Sequence, residues 1–112
     1  MGWQPRDLSL QKLEPAQGKV GSNIEAKARG QGFGQGIQLI LIRQDVAGGL
    51  VPSDVLPCND VTITAGSFEL SFTLALEGMT PGTYCAIVWN VPLRAGDPSE
   101  RYVLENAFTV QA

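Results

Sequence analysis

An all-β chain folded as a two-sheet antiparallel sandwich of about seven strands is what this sequence predicts, and three observations carry the prediction. Residues 68–76 alternate without a fault: Phe68, Leu70, Phe72, Leu74 and Leu76 fall on one face, Glu69, Ser71, Thr73 and Ala75 on the other. A period of two belongs to a half-buried strand, because successive side chains leave a pleated backbone on opposite sides. Thirteen glycines and seven prolines cut the 112 residues into short runs, and no stretch carries the apolar period of a helix. Short strands with one apolar face need a second layer to meet, which a sandwich supplies.

The elements follow in order. Leu8, Leu10 and Leu13 predict a first strand that stops at Glu14-Pro15, and residues 16–22 hold Gly18 and Gly21 and read as a turn. Residues 23–29 set Ile24, Ala26 and Ala28 inward against Glu25, Lys27 and Arg29 outward. Four glycines around Phe33 break the chain at 30–36. Residues 37–43 form a third strand whose middle, Leu39-Ile40-Leu41-Ile42, is apolar on both faces, as in a strand covered on both sides. After a turn at 45–49 comes the segment 50–58. Pro52 and Pro57 lack the N–H of a central ladder, so this segment is an edge or a loop. A short strand at 61–64 leads into the alternating strand at 68, and the turn at 77–82 leads into a strand at 83–91. A polar loop at 92–101 precedes the last strand, 102–110, with Leu104, Asn106, Phe108 and Val110 on one side.

Composition bounds the function. The chain is one domain, 1–112, large enough for an ordinary core. Net charge is −3 with eight scattered Lys and Arg, too few and too dispersed to neutralise phosphates, so nucleic acid is not an expected partner. No apolar run approaches the ~20 residues that span a bilayer, and the first residues lack the apolar core of a signal peptide, so no membrane insertion is expected. Histidine is absent, which removes the usual general base and the commonest metal ligand. Serines occur without a G-x-S-x-G turn, and the spacing of the carboxylates pairs none of them. The chain is therefore expected not to be an enzyme, with no catalytic residue, no cofactor and no metal.

A more specific pattern runs through the chain: Pro15, Gly18, Gly21, Ile24, Ala26, Ala28, Gly30 and Phe33 at the start, Pro81-Gly82-Thr83-Tyr84 before the penultimate strand, and Phe108-x-Val110 at the end. This order resembles IPT/TIG domains, a family of immunoglobulin-like β-sandwiches. The chain departs from that pattern at Ala26 and Ala28, where larger β-branched residues are usual, in its long 92–101 loop and in its two cysteines. The resemblance implies an immunoglobulin-like fold and a recognition or spacer module of a receptor, adhesin, carbohydrate-active enzyme, DNA-binding factor or phage particle, none of them catalytic by the domain itself. Fold alone does not choose among these.

Four features can carry function. On the strand at 83–91, Tyr84, Ala86 and Val88 face inward, which turns Cys85, Ile87, Trp89 and Val91 outward. With Ile40 and Ile42 of the third strand they make an apolar outer face. Either the 50–57 segment and the 92–101 loop cover it, or it is a protein interface with Trp89 as anchor. Cys58 and Cys85 either bridge, closing a loop long enough to contribute about 3–4 kcal/mol, or remain thiols; their spacing fits no redox or zinc motif. Asp45, Asp54, Asn59, Asp60, Asp97 and Glu100 can bind Ca²⁺ in principle, but they lack the regularity of a dedicated loop, and turn chemistry accounts for them. Gly30–Gly36 looks like a phosphate loop yet leads into a strand, so no helix N-terminus meets a phosphate and a turn is the better reading.

The expected function is a non-catalytic structural or adhesive protein-interaction module of an extracellular, cell-surface or virion assembly, with a protein partner or self-assembly into an oligomer. Its interface candidates are Ile40, Ile42, Ile87, Trp89 and Val91. The alternative is a carbohydrate-binding or accessory domain of a larger secreted enzyme, which needs Trp3, Trp89 and Tyr102 gathered into a sugar platform.

Overall fold

The alternating strand finds its partners on both edges. In the computed structural model, which describes residues 8–34, 36–64, 66, 68–90 and 100–112, β3 (Asn23–Gln31) and β7 (Glu69–Ala75) pair antiparallel with Ala26 opposite Phe72 and Ala28 opposite Leu70. Small residues face large ones, so the layer fills without overpacking. β1 (Ser9–Glu14) flanks β3, and β6 (Asn59–Thr64) flanks β7, giving a four-stranded sheet in the order β1-β3-β7-β6. The second sheet has the order β2-β9-β8-β4-β5, from β2 (Gln17–Lys19), β4 (Gln38–Gln44), β5 (Leu50–Pro57), β8 (Gly82–Asn90) and β9 (Glu100–Gln111). The two sheets enclose one core, in which Leu41, Leu70, Leu74, Tyr84, Val88 and Phe108 are among the fully buried side chains. The molecule is an immunoglobulin-like β-sandwich.

Among the described residues nine strands are seen rather than about seven, and the differences have local causes. The glycine-bearing stretch read as a turn contains β2, which runs parallel to β9 with Gly18 opposite Val110. It is held there by Thr109 N–H to Ala16 O (2.9 Å) and Val20 N–H to Gln111 O (2.8 Å). The leading segment of the chain thus serves both sheets, leaving the first after Glu14 and closing the edge of the second. The segment at 50–57 is a true edge strand in spite of its prolines, because β4 is its one ladder partner. A proline on an edge costs no ladder bond when its nitrogen faces away from the partner.

Two expected side-chain directions fail. Phe68 is 47% exposed. It lies in the turn before β7, where its carbonyl accepts the Gly30 N–H at 3.0 Å, so the residue contributes through its backbone. Asn106 does not share a face with Leu104 and Phe108 in a regular strand. It adopts a left-handed φ of 54° inside an irregularity of β9, where Tyr84 pairs with Phe108 but Ala86 pairs with Leu104. Two extra residues on β9 keep the alternation in phase, so Leu104 and Phe108 still face the core while Asn106 is lifted out. A bulge also explains the uneven spacing of Leu8, Leu10 and Leu13: the register shifts between Leu10 and Lys12, and both Leu10 and Leu13 are buried.

Candidate functional site: the outer face of the five-stranded sheet

The ladder of the second sheet fixes which outward side chains are neighbours. Ile87 on β8 stands between Val103 on β9 and Ile40 on β4, and Ile40 in turn faces Pro57 on β5. One row of the outer face is therefore apolar across four strands. The next row runs from Cys85 through Ile42 to Val55, and the row on the other side sets Arg101, Trp89 and Gln38 side by side. Ile40, Ile42, Ile87 and Trp89 are half-buried, while Val103 and Val55 are 43% and 38% exposed. Val91 lies outside the described residues.

The sequence left open whether the 50–57 segment and the 92–101 loop cover this face. The segment does not: as β5 it lies in the plane of the sheet and widens the face by Val55 and Pro57, while residues 92–99 of the loop lie outside the described residues. Sequence reasoning missed Val103 and Val55. Val103 was legible from the odd-numbered positions of the last strand, whereas Val55 was hidden by the two prolines that argued against a strand.

The outer face of the first sheet is its opposite in character. Lys27 and Arg29 on β3 lie 3.6 Å from the carboxylate of Glu69 on β7, and Arg29 also bonds Glu14 on β1. That hydrogen bond holds the Glu14 carboxyl below its ordinary range. An open groove of about 420 Å³ on this side is bordered by Glu25, Lys27, Asp60, Ser71 and Thr73 together with Ala26 and Phe72. The outward side chains of β3 and β7 here are charged or carry hydroxyls and are stable in water.

Both cysteines are free, and the structure places them apart. Cys58, between β5 and β6, packs against the core, and burial pushes its thiol up to about 12. Cys85 sits on the outer side of β8 yet has no exposed surface. Asn106 N–H donates to Gln44 Oε1 at 2.8 Å; since β8 lies between β4 and β9, the Gln44 side chain has to pass over β8 beside Cys85. Burial raises the Cys85 thiol as well. A bridge would have to cross from the core-facing side of one segment to the outer side of another, so the disulfide alternative is not realised.

Asp45, Asp54 and the glycine loop are taken up by the fold. Asp45 Oδ1 accepts the N–H groups of Ala47 and Gly49 at 2.9 and 2.8 Å, closing the β4–β5 hairpin. Asp54 accepts from Arg43 Nε at 2.6 Å and from Thr80 Oγ1 at 3.1 Å, and Tyr84 donates its hydroxyl to Thr80 O at 2.7 Å. This is the tyrosine corner of immunoglobulin-like sandwiches, a phenol tied to the backbone a few residues upstream. Among the described residues no group of three or more metal-ligating side chains converges; Asp97 and the Glu100 side chain lie outside them. In the 30–36 loop, Gly34 N–H donates to Asn90 Oδ1 and Asn90 Nδ2 donates to Gly32 O, both at 3.0 Å. Phe33 is buried beneath. The loop is a clamped turn whose Gly34 amide is engaged by Asn90.

The aromatics expected to form a sugar platform are not brought together. Trp89 is opposite Arg101, and Tyr102 is opposite Val88, which faces the core; Trp89 and Tyr102 thus leave the sheet on opposite sides. Trp3 lies outside the described residues. Among the described residues no helix is long and apolar enough to cross a membrane.

No protein-family model matches the chain, and no curated protein matches it. Among solved structures it is similar to a chain from work described as the structural basis of T cell specificity and activation by the bacterial superantigen toxic shock syndrome toxin-1. That likeness has 12% identity and a TM-score of 0.39, and covers 92% of this chain and 98% of the other; at that level it carries no argument about function.

Proposed function

We propose that the chain is a non-catalytic contact module of the IPT/TIG type, a structural or adhesive domain that binds protein through the outer face of its five-stranded sheet in an extracellular, cell-surface or virion assembly. One observation carries the reading. The row Val103–Ile87–Ile40–Pro57 crosses four strands without a polar side chain, and the 50–57 segment extends that row in the plane of the sheet. A sandwich that faces water on both sides alternates polar with apolar residues on its outer rows, as the first sheet does here. Burying an apolar patch on a partner recovers about 25 cal/mol per Å² removed from water, and the flat rows offer Trp89 as a large anchor.

Ile87→Glu tests the reading. Ile87 is half-buried between its ladder neighbours, so on an open face the substitution costs no more than about 2 kcal/mol and abolishes uptake of an apolar dye by the dilute protein. A loss of about 3 kcal/mol or more would mean a carboxylate forced into a covered site, and would reject the face as a contact surface.

A further inference from the structure

We propose that the sandwich bears tension: it resists a pull along its strands between the Leu8 end and the Ala112 end, whichever face meets a partner. The registers place those ends at opposite poles. Ser9 stands opposite Gln31 at the end of β3, and Glu100 opposite Asn90 at the end of β8. The bonds of Asn90 to Gly32 and Gly34 hold both of these ends at one pole. At the other pole β3 begins, with Asn23 opposite Ala75; Gly21 N–H donates to Leu76 O at 3.1 Å, and Lys19 lies opposite Gln111. β1, β2 and β9 therefore all run from the first pole to the second.

With Leu8 drawn one way and Ala112 the other, β2 is pulled back along β9. The two strands are parallel and are drawn from opposite ends, so they must slide past one another. Ladder bonds lie across the strands. Thr109 N–H to Ala16 O at 2.9 Å, Val20 N–H to Gln111 O at 2.8 Å and the ladder between them are then strained together, not one after another. β1 is likewise drawn along its own axis against β3. Because β2 follows β1 in the same direction, with Pro15 and Ala16 alone between them, freeing β1 lengthens the chain little and leaves the tension on β2 and β9. β2 is also seated on the first sheet. A Cβ at Gly18 would stand 2.1 Å from Ile24 Cδ1 and 2.8 Å from Leu76 Cδ1, so those side chains pack directly on its backbone. A pull between Val20 and Ala112, both at the second pole, loads the same ladder differently and opens it from one end, bond by bond.

Single-molecule pulling on the full chain decides the matter, since forced unfolding reads the unfolding rate and not the equilibrium. One set of molecules is tethered by tags at its two ends, the other at the C-terminal tag and through the thiol introduced by Val20→Cys. Val20 is exposed, and the substitution keeps its backbone bond. At one pulling speed the end-to-end geometry is expected to rupture at several-fold the force of the other. Val20→Pro and Tyr84→Phe then separate mechanical from general stability. Each removes one hydrogen bond, Val20 N–H to Gln111 O or the Tyr84 hydroxyl to Thr80 O, so the two lower the denaturant midpoint alike. Only the first of these bonds crosses the strained ladder, so Val20→Pro is expected to lower the end-to-end force and Tyr84→Phe to leave it nearly unchanged. Equal forces in the two tether geometries overturn the inference, and that comparison stands even where Val20→Pro fails to fold. Equal losses of force in the two variants overturn it as well, because resistance to the pull would then only follow global stability.

Discussion

Gly30 has no room for a side chain: a Cβ there would stand 2.1 Å from the backbone oxygen of Ser9 and 2.9 Å from the Phe33 ring. Backbone cannot retreat as a rotamer can, so Gly30→Ala is expected to lose about 2–3 kcal/mol, read as a fall in denaturant midpoint without change of slope. At Tyr84 the contribution is a hydrogen bond. Tyr84→Phe leaves the Thr80 carbonyl without its phenol donor and should cost about 1 kcal/mol, several degrees in Tm for a domain of this size. The same residue contributes to alkaline sensitivity together with Cys58. Burial first, with the nearby Asp54 carboxylate, raises the Tyr84 phenol above its ordinary value, and burial raises Cys58 from 9.0 to about 12. Both groups are held neutral by the fold. Their stabilisation is complete below the unfolded values and is lost as pH rises through the folded ones. Unfolding free energy should decline from pH 9 towards about 12, and Tyr84→Phe should flatten the part above 10; a curve flat across that range would contradict the burial of both groups.

Among the elements, β9 shows how a strand carries two assignments at once. Its C-terminal half closes the core with Phe108 and Val110, while its N-terminal half presents Arg101 and Val103 outward. The irregularity between the halves depends on Asn106, one of the residue types that tolerate a left-handed backbone. Asn106→Gly should be neutral or stabilising by a few tenths of a kcal/mol, whereas Asn106→Val should cost about 1–2 kcal/mol; equal effects in thermal unfolding would mean that the backbone there is not left-handed. Local pattern could not have announced this feature, because the two extra residues preserve the even-numbered inward face. β5 teaches the reverse lesson. Its prolines argued against a strand, but only a central strand requires every N–H, and position in the sheet is set by the rest of the chain. The strands at 23–29, 37–43, 69–75 and 83–90 were legible because each has a one-sided or two-sided apolar pattern that survives any choice of partner.

At the scale of the molecule, the two outer faces differ in what they ask of their surroundings. The first sheet spreads Glu14, Arg29, Lys27 and Glu69 over β1, β3 and β7 as exposed pairs, each of small energetic value but all content in water. The second presents an apolar row that crosses four strands. The Ile87→Glu experiment addresses that asymmetry directly, since substitutions on the polar face, such as Lys27→Ala, should leave dye uptake unchanged. The candidate site was half legible. Ile40, Ile42, Ile87 and Trp89 followed from alternation alone, but their joining with Val103 and Val55 into one surface needed the ladder.

Alternation and turn chemistry, which act within a few residues, made legible the strongly alternating strands, the inward choice of Tyr84, Ala86 and Val88, and the turn around Phe33, although Gly30 and Gln31 belong to β3 and not to that turn. Tertiary structure alone decided that β2 runs parallel to β9, that 50–57 extends the apolar face instead of hiding it, and that Cys58 and Cys85 stay apart. Those are relations between residues far apart in the chain, set by which edges remain open once the stronger strands have paired.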